Sequence, residues 1–539
     1  MPSPTASQAR ELDRRTMDDM GVPSSVLMEN AGRAAAQVIQ GAYPSGPIAV
    51  LVGPGNNGGD GLVVARTLAA WGRVVTVVHL GSELPAAHLL HGWEGRVRVM
   101  PATSSEDQVN PKLASVVEGA GVVVDGLLGT GVKGAPRGDV ALVLELVDEI
   151  RRGQGVVALD LPSGVDATSG AVPGSVLRAS LTVSFGWPKL GTLLHPGAGF
   201  AGERMAVEIG YPPEVAQWPG PDGGQLALVI TSEWAATRLP PPRPSHAHKK
   251  SVGTLALVAG SPGMAGAAIL AGRAALRSGV GLLKLCAPGE IRDVLQQSLP
   301  EAIFVDRDDT EALVGAVADV QAVAMGPGMG LDGTARRALD RILDLRAGAM
   351  VTEGESSSPL LLDADALTLL ARSHGEAQGK HPGRKHPGLG GGVLLTPHPG
   401  EMGRLLEETS SHVQQDRMAA LTRGLERWGC TIALKGNPSL VGTPAGAMHV
   451  APTGGPHLAV AGMGDVLTGV TGALMARGLS PLDAAGVALV ASGAAARDAG
   501  VSPGLLPGDL PLHLPAVLAD LAHPPPLPFP FATLHLRPE

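Results

Sequence analysis

Residues 47–80 read PIAVLVGPGNNGGDGLVVARTLAAWGRVVTVVHL. A short apolar run, a glycine-rich turn, a stretch with helical spacing and a second apolar run follow one another, which is a βαβ unit with parallel strands. Upstream, Leu27, Ala31, Ala34 and Val38 recur at helical spacing after Pro23-Ser24-Ser25, so residues 1–40 are expected to form two helices covering that sheet. Downstream, VVVDG (122–126), VVALD (156–160) and SLTVSF (180–185) continue the strands. The expected class is α/β.

The chain has 539 residues, 44% hydrophobic and 17% charged, a length that suggests two to four domains. With only 5 Phe, 6 Trp and 2 Tyr, the core must be built from Ala, Val and Leu. A net charge of -9 supplies no basic surface for a general nucleic-acid binder. Cys286 and Cys430 sit in apolar runs and read as small buried hydrophobes, without a disulfide framework. The N-terminus reaches charge before any apolar run, so no signal or transit peptide is expected there. The uncharged stretch 251–272 is broken by Gly253, Gly260, Pro262, Gly263 and Gly266 and suits a strand-loop-helix better than a membrane span. A soluble cytoplasmic protein is expected, with neither nucleic acid nor membrane as partner; the oligomeric state, a homo-oligomer included, stays open.

Pro-rich text between about 212 and 246 separates two alternating β/α regions. The expected domains are 1–220 and 221–522, followed by a loose Pro-rich tail, 523–539. The insert 375–392, with His381 and His386, reads as a flexible loop rather than a metal site.

Open parallel sheets bind ligands outside the carboxyl ends of their strands. Three such ends in the first region are polar: GPGNNGGDG (53–61), DGLLGTG (125–131) and LDLPSG (159–164). The first precedes a helix, so its backbone N–H groups can hold phosphate, while Asn56, Asn57 and Asp60 add oxygens that a mere turn does not need. Asp125, Asp160, Asn57 and Ser163 together offer hard oxygens suited to a cation. With LMENAG (27–32), these motifs resemble in order the N-terminal domain of NAD(P)H-hydrate epimerases, over roughly residues 8–212. The resemblance implies a Rossmann-like domain in which Asn56, Asn57, Gly58, Gly59, Asp60, Gly129, Thr130, Gly131, Val132, Lys133, Gly134, Ala135 and Asp160 contact the hydrated cofactor. It implies K⁺ on Asn57, Asp125 and Ser163. Asp160 is the expected acid-base residue, with Lys133 as its partner.

In the second region, AVAGMGDVLTG (459–469) is the most informative stretch. Gly462 and Gly464 open a helix whose N–H groups can meet developing negative charge, and Asp465 follows as a candidate general acid or base; a helix cap is the plain alternative. With AGSPG, AMGPGMG, LLDADAL, LLTPHPGEM and ALKGNPSLV, it resembles the ribokinase-like ADP-dependent NAD(P)H-hydrate dehydratases over about residues 226–520. The resemblance implies that Ala267, Gly328, His398 and Asp465 face the hydrated dinucleotide. It likewise implies that Lys435, Gly436, Asn437, Pro438 and Ser439, with Gly455, Pro456, His457, Leu458, Ala459, Val460, Ala461, Gly462, Met463 and Gly464, line the site for ADP or ATP, carried with Mg²⁺. Gly455-Pro456-His457 and Met463 depart from the usual Asn-Pro-Gly and small hydroxyl residue. The joint implication is metabolite repair: epimerisation of hydrated NADH or NADPH by an isomerase half, and nucleotide-driven dehydration of the S form by a lyase half. A small-molecule kinase fused to a non-catalytic binding module is the alternative.

Overall fold

Ile48–Val52 is buried along its whole length because both faces of its sheet are covered. Ile48, Val50 and Val52 face one core with helices Ser24–Ala42 and Asn56–Ala70; Ala49 and Leu51 face the other, with Leu113, Val117, Val143, Leu144 and Val147. The computed structural model describes residues 1–81, 83–103, 110–217, 225–351, 358–380, 389–500 and 503–537. His381 and His386 lie outside the described residues; helix Ala364–Lys380 occupies the start of the insert read as a loop. Among the described residues no helix is long and apolar enough to cross a membrane.

The chain divides into two units, Met1–Leu228 with Pro525–Pro538, and Val229–Pro524. In the first, parallel strands run in the order Val97–Pro101, Val75–His79, Ile48–Val52, Val122–Gly126, Gly155–Leu159, Leu181–Phe185, Glu203–Val207. The order reverses between Ile48–Val52 and Val122–Gly126, which opens a crevice at their carboxyl ends. Of the two N-terminal helices only Ser24–Ala42 covers the sheet. Ala6–Arg14 instead buries Ala9 and Leu12 and lies along the crevice, where Ala9, Arg10 and Asp13 form part of its wall.

The Pro-rich tail is not loose, a correction to the expectation. Ala532–Leu536 pairs antiparallel with Glu203–Val207 as the eighth strand of the first unit's sheet. Proline rules out a helix here, but ATLHL alternates: Ala532 and Leu534 are buried and Thr533 is exposed, the period-two pattern of a strand. Phe529 and Phe531 stack 5.2 Å apart against the same core, and His535 pairs with Glu203. Leu534 is 2% exposed, so Leu534→Ala should cost about 2–5 kcal/mol. Denaturant unfolding should show the first unit losing structure earlier, while the transition of the second unit stays in place.

In the second unit, parallel strands run Ile303–Asp306, Leu282–Ala287, Thr254–Val258, Ala322–Met325, Leu360–Leu362, Val393–Leu395, Thr431–Leu434, and antiparallel Ser439–Gly442 and His449–Ala451 follow on that side. Helices Ala265–Arg277, Met463–Ala476 and Pro481–Ala499 bury their small and aliphatic residues in its core.

Candidate active sites

A cavity of about 460 Å³ occupies the crevice of the first unit. The Asn56–Ala70 helix starts at its floor; a Cβ at Gly58 would lie 1.9 Å from the Gly53 carbonyl oxygen, so the tight turn needs glycine there. Asn56, Asn57, Asp60, Gly129, Thr130, Gly131, Val132 and Asp160 line the cavity. Beneath it, Asp125 accepts hydrogen bonds from Ser163 Oγ (2.6 Å), Ser163 N (2.8 Å) and Leu127 N (3.2 Å). Burial raises the Asp125 pKa, and those hydrogen bonds oppose the rise. Asn57 Nδ2 donates to the carbonyls of Leu128 (2.8 Å) and Leu159 (3.1 Å), which leaves its buried Oδ1 without a partner.

Asp160 follows strand Gly155–Leu159 at φ +68°, a left-handed conformation uncommon for a non-glycine residue. Its carboxylate accepts from Phe185 N (3.0 Å) and from the buried ammonium of Lys189, which also donates to the carbonyls of Phe185 (2.9 Å) and Trp187 (3.3 Å). Lys133 does not take this place. It is exposed and, with Gly134 and Ala135, stands outside the cavity lining. Sequence reading passed over Lys189, although a lone cation in the apolar run FGWPKLGTLL was the available signal. It also passed over Asp13, which accepts from Tyr211 Oη and whose pKa is raised by burial.

In the second unit the cap of helix Met463–Ala476 is Gly462 at φ +95°, and Asp465 is the third helical residue. Asp465 is therefore not the cap. Burial first, then the charge of Asp363, push its pKa up to about 7, against the opposing effect of Lys435. Asp363, quoted within LLDADAL but not singled out, is the hub. It accepts from Lys435 Nζ (2.6 Å), Thr396 Oγ1 (2.9 Å) and Thr468 Oγ1 (2.7 Å). A Cβ at Gly464 would lie 3.4 Å from Lys435 Nζ, which places that ammonium directly under the helix start. Burial opposes the Lys435 charge, but Asp363, Glu401 and Asp465 outweigh it and hold the pKa above its ordinary value.

His398 caps helix Pro399–Leu406, its Nδ1 accepting from Gly400 N (3.0 Å). Glu401 answers from the third position, accepting from His398 N (2.8 Å), and lies 3.8 Å from Lys435. Gly328, at φ +55°, packs against Ala267: a Cβ there would lie 2.8 Å from Ala267 Cβ. The loop Lys435 to Ser439 rests on Arg417, which donates to the carbonyls of Pro438 (2.7 Å), Leu434 (3.2 Å) and Lys435 (3.2 Å). Gly455 caps the short turn Pro456–Leu458; within it His457 buries an Nε2 that has no partner, and Met463 is the first helical residue.

Two known families match the chain: residues 24–191 match the one described as YjeF-related protein N-terminus, and residues 255–518 the one described as NAD(P)H-hydrate dehydratase. A bifunctional NAD(P)H-hydrate repair enzyme of Moorella thermoacetica is 34% identical over 541 residues, 96% of this chain and 96% of its own length. The chain belongs to the family of bifunctional NAD(P)H-hydrate repair enzymes. Another member, from Salinibacter ruber, is 37% identical over 92% of each chain. Among solved structures, an ADP/ATP-dependent NAD(P)H-hydrate dehydratase from Bacillus subtilis, co-crystallized with ATP/Mg²⁺, is 30% identical with a TM-score of 0.46, covering 55% of this chain and 99% of that one. Asp160 and Lys189 fall within the first matched region of the repair-enzyme family, and Asp363, Lys435 and Asp465 within the second. Tyr211 and strand Ala532–Leu536 fall outside both.

Proposed function

We propose that the chain repairs hydrated NADH and NADPH in two steps, an isomerase step in the first unit and a lyase step in the second. The observation that carries this reading is that each unit of a repair-enzyme family member holds its own carboxylate-lysine centre at strand ends, Asp160 with Lys189 and Asp363 with Lys435 and Asp465. Asp160 is the acid-base group beside C6 of the hydrated ring, where the hydroxyl changes face, and Lys189 fixes its carboxylate. In the second unit Asp465 takes the C6 hydroxyl proton as that oxygen attacks the terminal phosphorus of ADP or ATP. AMP or ADP leaves, and loss of the C5 proton with expulsion of phosphate then restores the C5-C6 double bond. The N–H groups at Gly462 and Gly464 face the developing phosphate charge. Mg²⁺ accompanies the nucleotide and neutralises its phosphates.

Asn57, Asp125 and Ser163 fit K⁺, since Asn57 Oδ1 is a buried oxygen with no partner, and Asn57 and Ser163 both bond Leu128 while Ser163 holds the Asp125 carboxylate. Bound there, K⁺ supplies a fixed positive charge next to the Gly129–Ala135 loop. Replacing K⁺ by tetramethylammonium should weaken hydrate binding to the epimerase site about tenfold in titration; equal affinity in both salts removes the ion from the site. The reaction itself is tested by incubating purified protein with mixed R and S hydrates, with and without ADP. Reduced-nicotinamide absorbance should return fully with ADP, consuming both epimers. Recovery limited to the S fraction leaves the first unit without epimerase activity.

A further inference from the structure

Three carboxyl groups line the cavity of the first unit, and their surroundings differ. Asp160 is paired with Lys189 and held by Phe185 N; Asp13 accepts from Tyr211 Oη. Asp60, 8% exposed, receives no hydrogen bond from any described residue although it forms part of the cavity wall. A buried, unpartnered carboxylate is costly, whereas a carboxylic acid with its oxygens toward a cavity can donate to whatever enters.

The charged and titratable groups around Asp60 are Asp160, Asp13, Lys189 and Tyr211. Burial, then the charges of Asp160 and Asp13, raise its pKa well above the usual carboxylate range, and Lys189 only partly offsets them. Two carboxyl groups facing one cavity, one paired with a buried ammonium and the other without a hydrogen-bond partner and with its pKa raised by burial, divide naturally into base and acid.

We propose that Asp60 is a second catalytic residue of the epimerase site, protonating the departing C6 hydroxyl while Asp160 activates water on the opposite face of the ring. This rests on the epimerase reading of the first unit and goes beyond it, since a cofactor-contacting residue becomes a reacting one. C6 of the hydrate carries both the hydroxyl and the ring nitrogen. The C6-O bond breaks, the oxygen takes the Asp60 proton and leaves as water, and the N1 lone pair forms an N1-C6 double bond. A water on the other face adds to C6 as Asp160 takes one of its protons, and the electron pair returns to N1. No electrons are gained or lost, and one proton passes from Asp60 to Asp160. The reverse epimerisation passes it back. Removing the C6 hydrogen instead would place a carbanion beside nitrogen, and the cavity lining holds no group that could delocalise it.

Two measurements decide. In H₂¹⁸O the full-length protein, without nucleotide, should place ¹⁸O at C6 at the rate of epimerisation; in D₂O it should leave C6 without deuterium. Epimerisation with the original oxygen kept, or with deuterium at C6, overturns the proposal. Asp60→Asn should slow R-to-S conversion by about 10²- to 10⁴-fold while hydrate affinity stays within a few-fold of wild type. Asp60→Glu should recover part of the rate. Normal conversion by the Asn variant overturns the proposal; the isotope result does not depend on that variant folding. A wild-type protein that interconverts no epimers overturns the epimerase reading itself.

Discussion

Asp465→Asn is expected to regenerate almost no NADH from the S hydrate on adding ADP, a loss of about 10²- to 10⁴-fold, while R and S continue to interconvert. The side chain keeps its size, and because Gly462 is the helix cap the substitution removes no capping bond. The stability effect has a definite sign. The Asp465 pKa is raised to about 7 in the folded chain, so from the ordinary carboxylate range near 4 up to about 7 the native state binds more protons than the unfolded one. Stability contributed by this group is fully present at low pH and is lost as pH rises through that window. Above it the ionised carboxylate is a burden that Asn does not carry. The variant should therefore melt at or above wild type at pH 8, and the wild-type dehydration rate should rise with pH to a plateau above about 7. A variant that melts well below wild type at pH 8, or one that still regenerates NADH at the normal rate, removes Asp465 from proton transfer.

Asp160→Asn should abolish epimerisation to a similar degree, with a second consequence the dehydratase residue lacks. Lys189 is buried, and losing its carboxylate leaves an ammonium without its ion-pair partner, hydrogen-bonded to two carbonyls, a disruption of about 3–5 kcal/mol. The first unit should thus lose stability along with activity. Asp160→Asn combined with Lys189→Met removes the stranded charge and should return most of the stability without the activity. Chromatography of the epimers over time, paired with denaturant unfolding, separates the two. If the double variant epimerises normally, the ion pair is scaffolding.

What could be read from the chain alone follows a physical division. The βαβ unit at 47–80 was legible because its periodicity is local, and Asp125 and Asp160 because they end apolar runs. Lys189 was not, since its partner lies 29 residues upstream and only the sheet order brings them together. Asp465 was visible, but whether it caps its helix depends on the left-handed backbone of Gly462, which no spacing reveals. Strand Ala532–Leu536 was masked by the prolines before it, although its alternation was there to be seen.

That last strand imposes an order of assembly. His535 meets Glu203 across 332 residues of chain. During synthesis at about 5–20 residues per second, the edge at Glu203–Val207 waits on the order of 15–70 s for its partner. Throughout that interval it presents unpaired backbone groups beside an apolar core, the kind of surface that invites association with other chains. The domain translated first is thus the one completed last. Dividing the gene at the apparent boundary would yield an N-terminal half with an open edge, whereas a half that also carries residues 525–538 should fold closed.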